Sequence, residues 1–455
     1  MTSEMPPFAS YADPLMRRAL AWFVDLMPVE EWASRRNAIE DYIEAVHATR
    51  KSREEAQTLG SFSIQDDRMG WYLYLMDALV NDVYRYETGQ GSRVAPILHQ
   101  IGHNFDVFLQ LRGVREKVLK ILGQDRSNPD STLFEILVAL LWAKNGFDVE
   151  FIPEIPGART PDLRARKGQD EWFVECKRLQ KSSQYSLDER EKWLQMWVPF
   201  RNFLVDSGYS AVFEIVFHVP LETLPDDFVV SQLSGKVRLI QLPCTIISNE
   251  TWTVSAYEVD YESFHEHLSK YMVLYPSEQL SDLVAGRRVG GQGFTSLVMG
   301  KFERAGEGKG VNRYLDEVGF AAGAFWGCDN QTVVERKARD IRGRLSDAVR
   351  QLPASGKCAV HIALETLDGA EVEMTRLLRI LKTVDEFDAS DKDLRWIYCH
   401  TVQSHSPPDQ AWAIDETTHH FGKQDAGPEP LTTRAAWLPS DADAVDGVHW
   451  LRPPP

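Results

Sequence analysis

The run from Leu133 to Lys144, LFEILVALLWAK, carries a single acid, Glu135, and no other polar residue before its closing lysine. A helix that is apolar around its whole circumference has no face to give to water, so the chain must cover it on every side. The run stops at Asn145-Gly146, and short strands follow. Phe147 to Pro153, FDVEFIP, alternates with the period of a strand. The stretch Thr160 to Lys177, TPDLRARKGQDEWFVECK, reads as two strands split by a charged turn. A polar segment leads into a helix from about Leu187 to Asp206, and Tyr209 to Val219, YSAVFEIVFHV, reads as a further strand. The expected order from about 131 to 219 is therefore α-β-β-β-α-β, an α/β core.

Within that order, one stretch concentrates charge. Side chains alternate across a strand, so Glu175 and Lys177 share one face while Val174 and Cys176 take the other. If the two strands pair as a hairpin, Asp162 is brought beside Glu175. Two carboxylates and an ammonium at one spot are costly unless a divalent cation or partner charges compensate them. The plain alternative is a same-face charge pair on an exposed strand. Trp172, Phe173, Val174 and Cys176 argue against it, because a strand apolar toward both sides is buried in an α/β sheet. Glu135 has two readings. Thr132 to Glu135 fits the S/T-x-x-E capping box, in which the Glu reaches back to the cap amide. A lone acid in a buried helix equally needs a compensating charge or metal.

The letters E-x-K alone decide nothing, since Glu307-Gly308-Lys309 and Glu335-Arg336-Lys337 repeat them. The first lies in a glycine loop. The second lies in a helix, where residues i and i+2 point well apart. Pro-Asp recurs at Pro129, Pro225 and Pro408. Only Asp162, Glu175 and Lys177 combine the spacing, the strand setting and the flanking helices.

With Glu135 in the first helix, Pro161-Asp162 on the second strand and Glu175-Cys176-Lys177 on the third, the pattern resembles the PD-(D/E)xK nuclease superfamily. It is most similar to Holliday-junction-resolvase-like and Mrr-like members, where a helix Glu and a Gly-Phe strand entry precede the Asp. The resemblance covers about 90 residues and implies a restriction-endonuclease-like αβββαβ core. It also implies a metal-dependent nuclease. Asp162, Glu175 and the backbone carbonyl of Cys176 offer hard oxygen ligands for Mg²⁺ or Mn²⁺. Glu135 would ligate the metal directly or through water, and Lys177 would serve the attacking water or the phosphate. Nucleic acid is the implied partner, DNA ahead of RNA, and a homodimer suits the cutting of two strands. From Arg159 to Lys192 there are nine basic and seven acidic residues, a mildly positive patch in a chain of net charge −17. Arg159, Arg164, Arg166, Arg178 and Lys181 are its candidate backbone contacts. A host-defence or repair role fits such an enzyme, and the rival reading is a non-catalytic binding or scaffolding protein that keeps the fold.

The remaining chain frames this core. At 455 residues two or three domains are expected. Residues 1–127 read as an α-helical region, with Leu15, Ala19, Trp22, Phe23 and Leu26 and later Trp71, Leu75, Ala78, Leu79 and Val83 at helical spacing. Its one suggestive polar set is His99, His103 and Asp106, which lacks the Glu of a zinc helix and reads first as ordinary solvated or core histidines. The core spans 128–220. An α+β region, 221–420, follows and is expected to extend the core sheet or build a second one. It includes strands near 237–247 and 251–259, two glycine clusters without the Lys-Ser/Thr of a phosphate loop, and one long amphipathic helix from Thr332 to Leu352. Residues 421–455, rich in Pro, Asp and Thr, are expected to pack poorly. No apolar run reaches 18 residues, the start has no secretory pattern, and the five cysteines are scattered, so a reduced cytoplasmic protein away from membranes is expected.

Overall fold

A computed structural model describes residues 13–49, 64–155, 159–179, 183–239, 241–290, 293–366, 368–389, 391–407, 410–423, 426–438, 442 and 445–452. The N-terminal helices are α1 (Pro14–Asp25), α2 (Val29–Thr49), α3 (Arg68–Asn81), α4 (Thr88–His103), α5 (Phe105–Gln110) and α6 (Val114–Leu122). In α1 the buried stripe is Met16, Ala19, Leu20 and Phe23, and Leu15, expected inside, is exposed. Asp13 sets that register by capping the Leu15 and Met16 amides.

The apolar run forms α7 (Asp130–Lys144), in which nearly every side chain from Leu133 to Trp142 is buried. It lies on strands β1 (Asp148–Phe151), β2 (Leu163–Lys167) and β3 (Asp170–Arg178), and its other sides meet α4, α5 and α6. A single hydrophobic core joins α1 to α7, the three strands and part of the C-terminal segment, so the N-terminal helices are one layer of this unit. Each large apolar side chain taken from water there stabilises by about 1.5–3 kcal/mol. At Gly113, φ is +85° and an added Cβ would lie 3.2 Å from Phe151 Cβ. A glycine lets the start of α6 run against β1, and Arg112 exchanges backbone bonds there with Val149 and Phe151.

After β3 the chain leaves the sheet. It forms α8 (Gln184–Ser207), β4 (Val212–Phe217), α9 (Phe228–Leu233), β5 (Cys244–Ser248), β6 (Trp252–Tyr257), α10 (Tyr261–Lys270), β7 (Val273–Tyr275), α11 (Glu278–Ala285), β8 (Phe294–Arg304) and β9 (Arg313–Cys328). These strands make a second sheet in the order β5-β6-β4-β9-β7, with β8 on β9. Then come α12 (Gln331–Lys337), α13 (Arg342–Val349), β10 (Lys357–Glu365), α14 (Ala370–Glu386), β11 (Leu394–His405) and β12 (Ala413–Gly422). The first sheet runs β1-β2-β3-β10-β11-β12. Its β1, β2 and β3 are antiparallel, and β10 joins β3 in parallel with Glu175 opposite Val360. Helices α13 and α14 cover the face away from α7.

This topology corrects the boundaries read from sequence. The strand expected to close the core, β4, lies in the second sheet, where Phe213, Ile215 and Phe217 pack with Trp193, Trp197 and Phe200 of α8. Its place beside β3 belongs to β10, buried along nearly its whole length as an interior strand must be. Thus 184–328 is an insertion, and the later chain does extend the core sheet. The single long helix expected at 332–352 is broken at 338–341. There Arg379 takes the carbonyls of Glu335 and Ala338, and the Asp340 carboxylate accepts from the Ile341 amide and Thr383.

The tail expected to pack poorly is held, and so is the GEGKG loop. In the GEGKG loop Lys309 pairs with Asp41 at 2.6 Å, and the Gly310 amide donates to Glu44. The φ of Gly310 is +73°, and a Cβ there would meet Tyr74 Oη at 2.5 Å. In the tail, the buried Glu416 carboxylate accepts from the amides of Ala436, Trp437 and Leu438, and Trp437 stacks on Phe134 of α7. Among the described residues no helix is long and apolar enough to cross a membrane. The five cysteines are unpaired.

Candidate active site

Strand alternation and the β2–β3 register bring the expected residues together. Leu163 stands opposite Val174, which sets Asp162, one residue before β2, level with Glu175. The Asp162 Oδ2 accepts from the Cys176 amide at 2.8 Å. Further along, the Leu179 amide donates to Ala363 of β10, so odd residues of β3 bond toward β10 and even ones toward β2. In a strand, the N–H and C=O of one residue point the same way. The Cys176 carbonyl therefore faces the Asp162 side, while its side chain is buried in the core shared with α7.

Glu175 is fully buried at the middle of the sheet. One oxygen, Oε1, accepts from Lys177 Nζ at 2.5 Å, and Oε2 has no hydrogen-bond partner. Glu135 projects from the second turn of α7, and its Oε2 accepts from Lys117 Nζ at 2.7 Å. The capping-box reading of Glu135 is therefore overturned. The helix starts at Asp130, so Thr132 lies inside it, and the first turn has no side-chain cap.

Three carboxylates and two ammonium groups thus share one buried place, one negative charge in excess when all are ionised. Burial, followed by Asp162 nearby, raises Glu135 to about 7. Burial, followed by Glu175, raises Asp162 to about 7. Burial also lifts Glu175 to about 7; Lys177 works against this and Glu135 adds to it. Burial opposes the charged form of Lys177, yet Glu175 holds its affinity for the proton above the ordinary value. Lysines so placed compensate part of the acid charge, and the rest is what a cation would neutralise.

Lys117 is the residue that sequence reasoning missed. It comes from α6, in the N-terminal helices, and no spacing in the sequence links it to Glu135. Three of the arginines expected to contact the nucleic-acid backbone, by contrast, pair with acids of this chain, and only Arg178 does so in an enclosed place. Arg178 is buried between Asp130 and Glu365, at 2.6 Å from the latter. Burial works against Glu365, but Arg93 and Arg178 hold it down to about 2. Arg164 pairs with Glu150 and Arg166 with Glu171. Arg159 is exposed, and Lys181 lies outside the described residues. Arg287 and Arg288 of the glycine-rich loop pair with Glu214 and Asp282. The other E-x-K lysine in a helix, Lys337, pairs with Glu189. Asp106 does not join His99 and His103 but pairs with Arg18, and Asp13 takes its place.

Compared with protein-family models, with curated proteins and with solved structures, the chain matches none. What it does is therefore argued from the site itself.

Proposed function

We propose that this chain is a metal-dependent phosphodiesterase of the restriction-endonuclease-like type, acting on nucleic acid and on DNA before RNA. The observation that carries the reading is Glu175. It is a fully buried carboxylate with one oxygen on Lys177 and the other on nothing, next to two further buried acids. The topology supports it. With the insertion and the short α12 set aside, α7, β1, β2, β3, α13 and β10 run in the order α-β-β-β-α-β, with β10 parallel to β3.

The donor set suits Mg²⁺ or Mn²⁺, because it is all oxygen and one of its oxygens lacks a partner. Asp162, Glu175 and the Cys176 carbonyl would hold the ion. When bound, it supplies Lewis-acid polarisation of the phosphate and a more acidic water. The chain does the rest. The Cys176 amide orients Asp162, and Lys177 fixes the Glu175 rotamer and places a positive charge where the phosphate gathers negative charge. Lys117 offsets part of the burial that raises Glu135 at the edge of the site. Burial on both sheet faces keeps these side chains from relaxing when substrate arrives.

One observation favours a second reading, a non-catalytic protein that keeps the fold: Arg164, Arg166 and Arg178 are each paired with an acid of this chain. A single comparison separates the two. Metal-stripped protein is given single-stranded, duplex and branched DNA, and RNA, with and without Mn²⁺, beside Asp162→Ala and Lys177→Ala. Mn²⁺-dependent cleavage lost in both variants supports the enzyme. No cleavage, together with Mn²⁺ binding that ignores Asp162 and Glu175, supports the other reading.

A further inference from the structure

A second cluster, separate from the carboxylates, lies between α1 and α4 of the N-terminal layer. His99 and His103 stand four residues apart in α4, on one helix face, with ring centroids 3.9 Å apart. Asp13, just before α1, brings its Oδ2 to 2.7 Å from His103 Nε2. One ligand atom from each of the three lies within 4.8 Å of the other two. No other group of three or more such side chains among the described residues meets that measure.

From this convergence we infer a binding site for a divalent ion of the zinc class, with Asp13, His99 and His103 as its protein ligands. Two imidazoles and one carboxylate form a nitrogen-rich set that favours Zn²⁺, Ni²⁺ or Cu²⁺ over Mg²⁺. Three protein ligands leave a further position for water. The site is built rather than accidental. Asp13 is fixed by its other oxygen, which accepts from the Leu15 and Met16 amides at 2.9 and 3.0 Å. The ring of His99 is walled by Trp412, whose centroid is 5.3 Å away. Helices α1 and α4 run in backbone contact at this point, since a Cβ added to Gly102 would lie 2.7 Å from the Leu15 carbonyl oxygen. An ion here would bridge the two helices.

The test uses the untagged, chelator-stripped full chain, titrated calorimetrically with ZnCl₂ and separately with MnCl₂. Wild type, Asp13→Asn, His99→Ala and His103→Ala are compared. Asn still caps α1, and His103 is exposed, so the fold survives these changes. The expected result is one Zn²⁺ equivalent weakened by about tenfold or more in each variant, with the Mn²⁺ isotherm unchanged. Zn²⁺ should also raise the melting temperature of wild type and not of His103→Ala. Zn²⁺ binding that is the same in all four proteins, or absent from wild type, overturns the site. Neither result bears on the carboxylate site, which the Mn²⁺ titration reports separately.

Discussion

Lys117 Nζ stands 2.7 Å from Glu135 Oε2, so a helix of the N-terminal layer closes the place where Asp162 and Glu175 meet. Both partners are nearly buried, at 11% and 13% exposure, so neither has water to fall back on. Removing one member of such a pair strands the other charge, whereas removing both does not.

Lys117→Met should accordingly cost about 3 kcal/mol, and Lys117→Met with Glu135→Gln should recover most of it. Urea unfolding of the four proteins in a double-mutant cycle measures this. Strict additivity would show that the two side chains do not interact.

Asp162 should make the metal-free protein less stable as pH rises. Its folded value of about 7 exceeds the ordinary 3.8, so between them the folded chain holds a proton that the unfolded chain releases. The stabilisation is complete below about 3.8 and is lost as pH climbs through about 7. In Asp162→Asn this dependence disappears. Its stability relative to wild type should therefore increase between pH 4 and 7, reaching roughly 1–3 kcal/mol. Melting curves across that range decide it, and parallel curves for the two proteins would contradict the assignment.

In the proposed site Mn²⁺ would compete with protons for the same oxygens. Because Asp162 and Glu175 both titrate near 7, affinity should rise steeply from pH 5 to 7, by up to about tenfold per pH unit for each proton displaced, and level off above. Calorimetry in buffers of different ionisation enthalpy would count those protons. A flat profile would mean that the ion binds elsewhere.

The opposite face of the sheet's centre carries a buried chain of hydrogen bonds. Trp142 Nε1 donates to His361 Nε2 at 3.0 Å, and His361 Nδ1 meets His400 Nε2 at 2.9 Å. His400 Nδ1 then meets Glu416 at 2.9 Å. The indole donor fixes each proton along the line, so His361 and His400 are both neutral and carry it on Nδ1. Burial, and then His400, hold His361 well below the ordinary 6.5. Its contribution to stability is present above 6.5 and lost as pH falls below it, since the unfolded chain then takes a proton that the folded chain refuses. Trp142→Phe should cost about 1–3 kcal/mol, the penalty of orphaning a buried acceptor. Glu416→Ala should release residues 436–438 to limited proteolysis while β10 and β11 stay protected.

Local chemistry was the legible part. The buried helix, the alternation around Glu175 and the Asp162 spacing each depend on neighbours a few residues apart, and the structure brings all of them together. Pairing over long range was not. VFEIVF and CAVHIAL are equally good interior strands as sequences, and only the rest of the fold decides which lies on β3. The break at 338–341 depends on Arg379 and Thr383, some forty residues downstream. The tail looked unable to pack because its anchor is one buried glutamate on β12, not its own composition.

The insertion also sets a clock. The ribosome delivers Asp162, Glu175 and Lys177 long before residue 357, the first of the strand that covers their edge of the sheet. At ordinary elongation rates that interval is roughly ten seconds or more. Through it, a nascent chain holds its acids without the neighbour that buries them. Any activity they confer begins only after most of the polypeptide has been made.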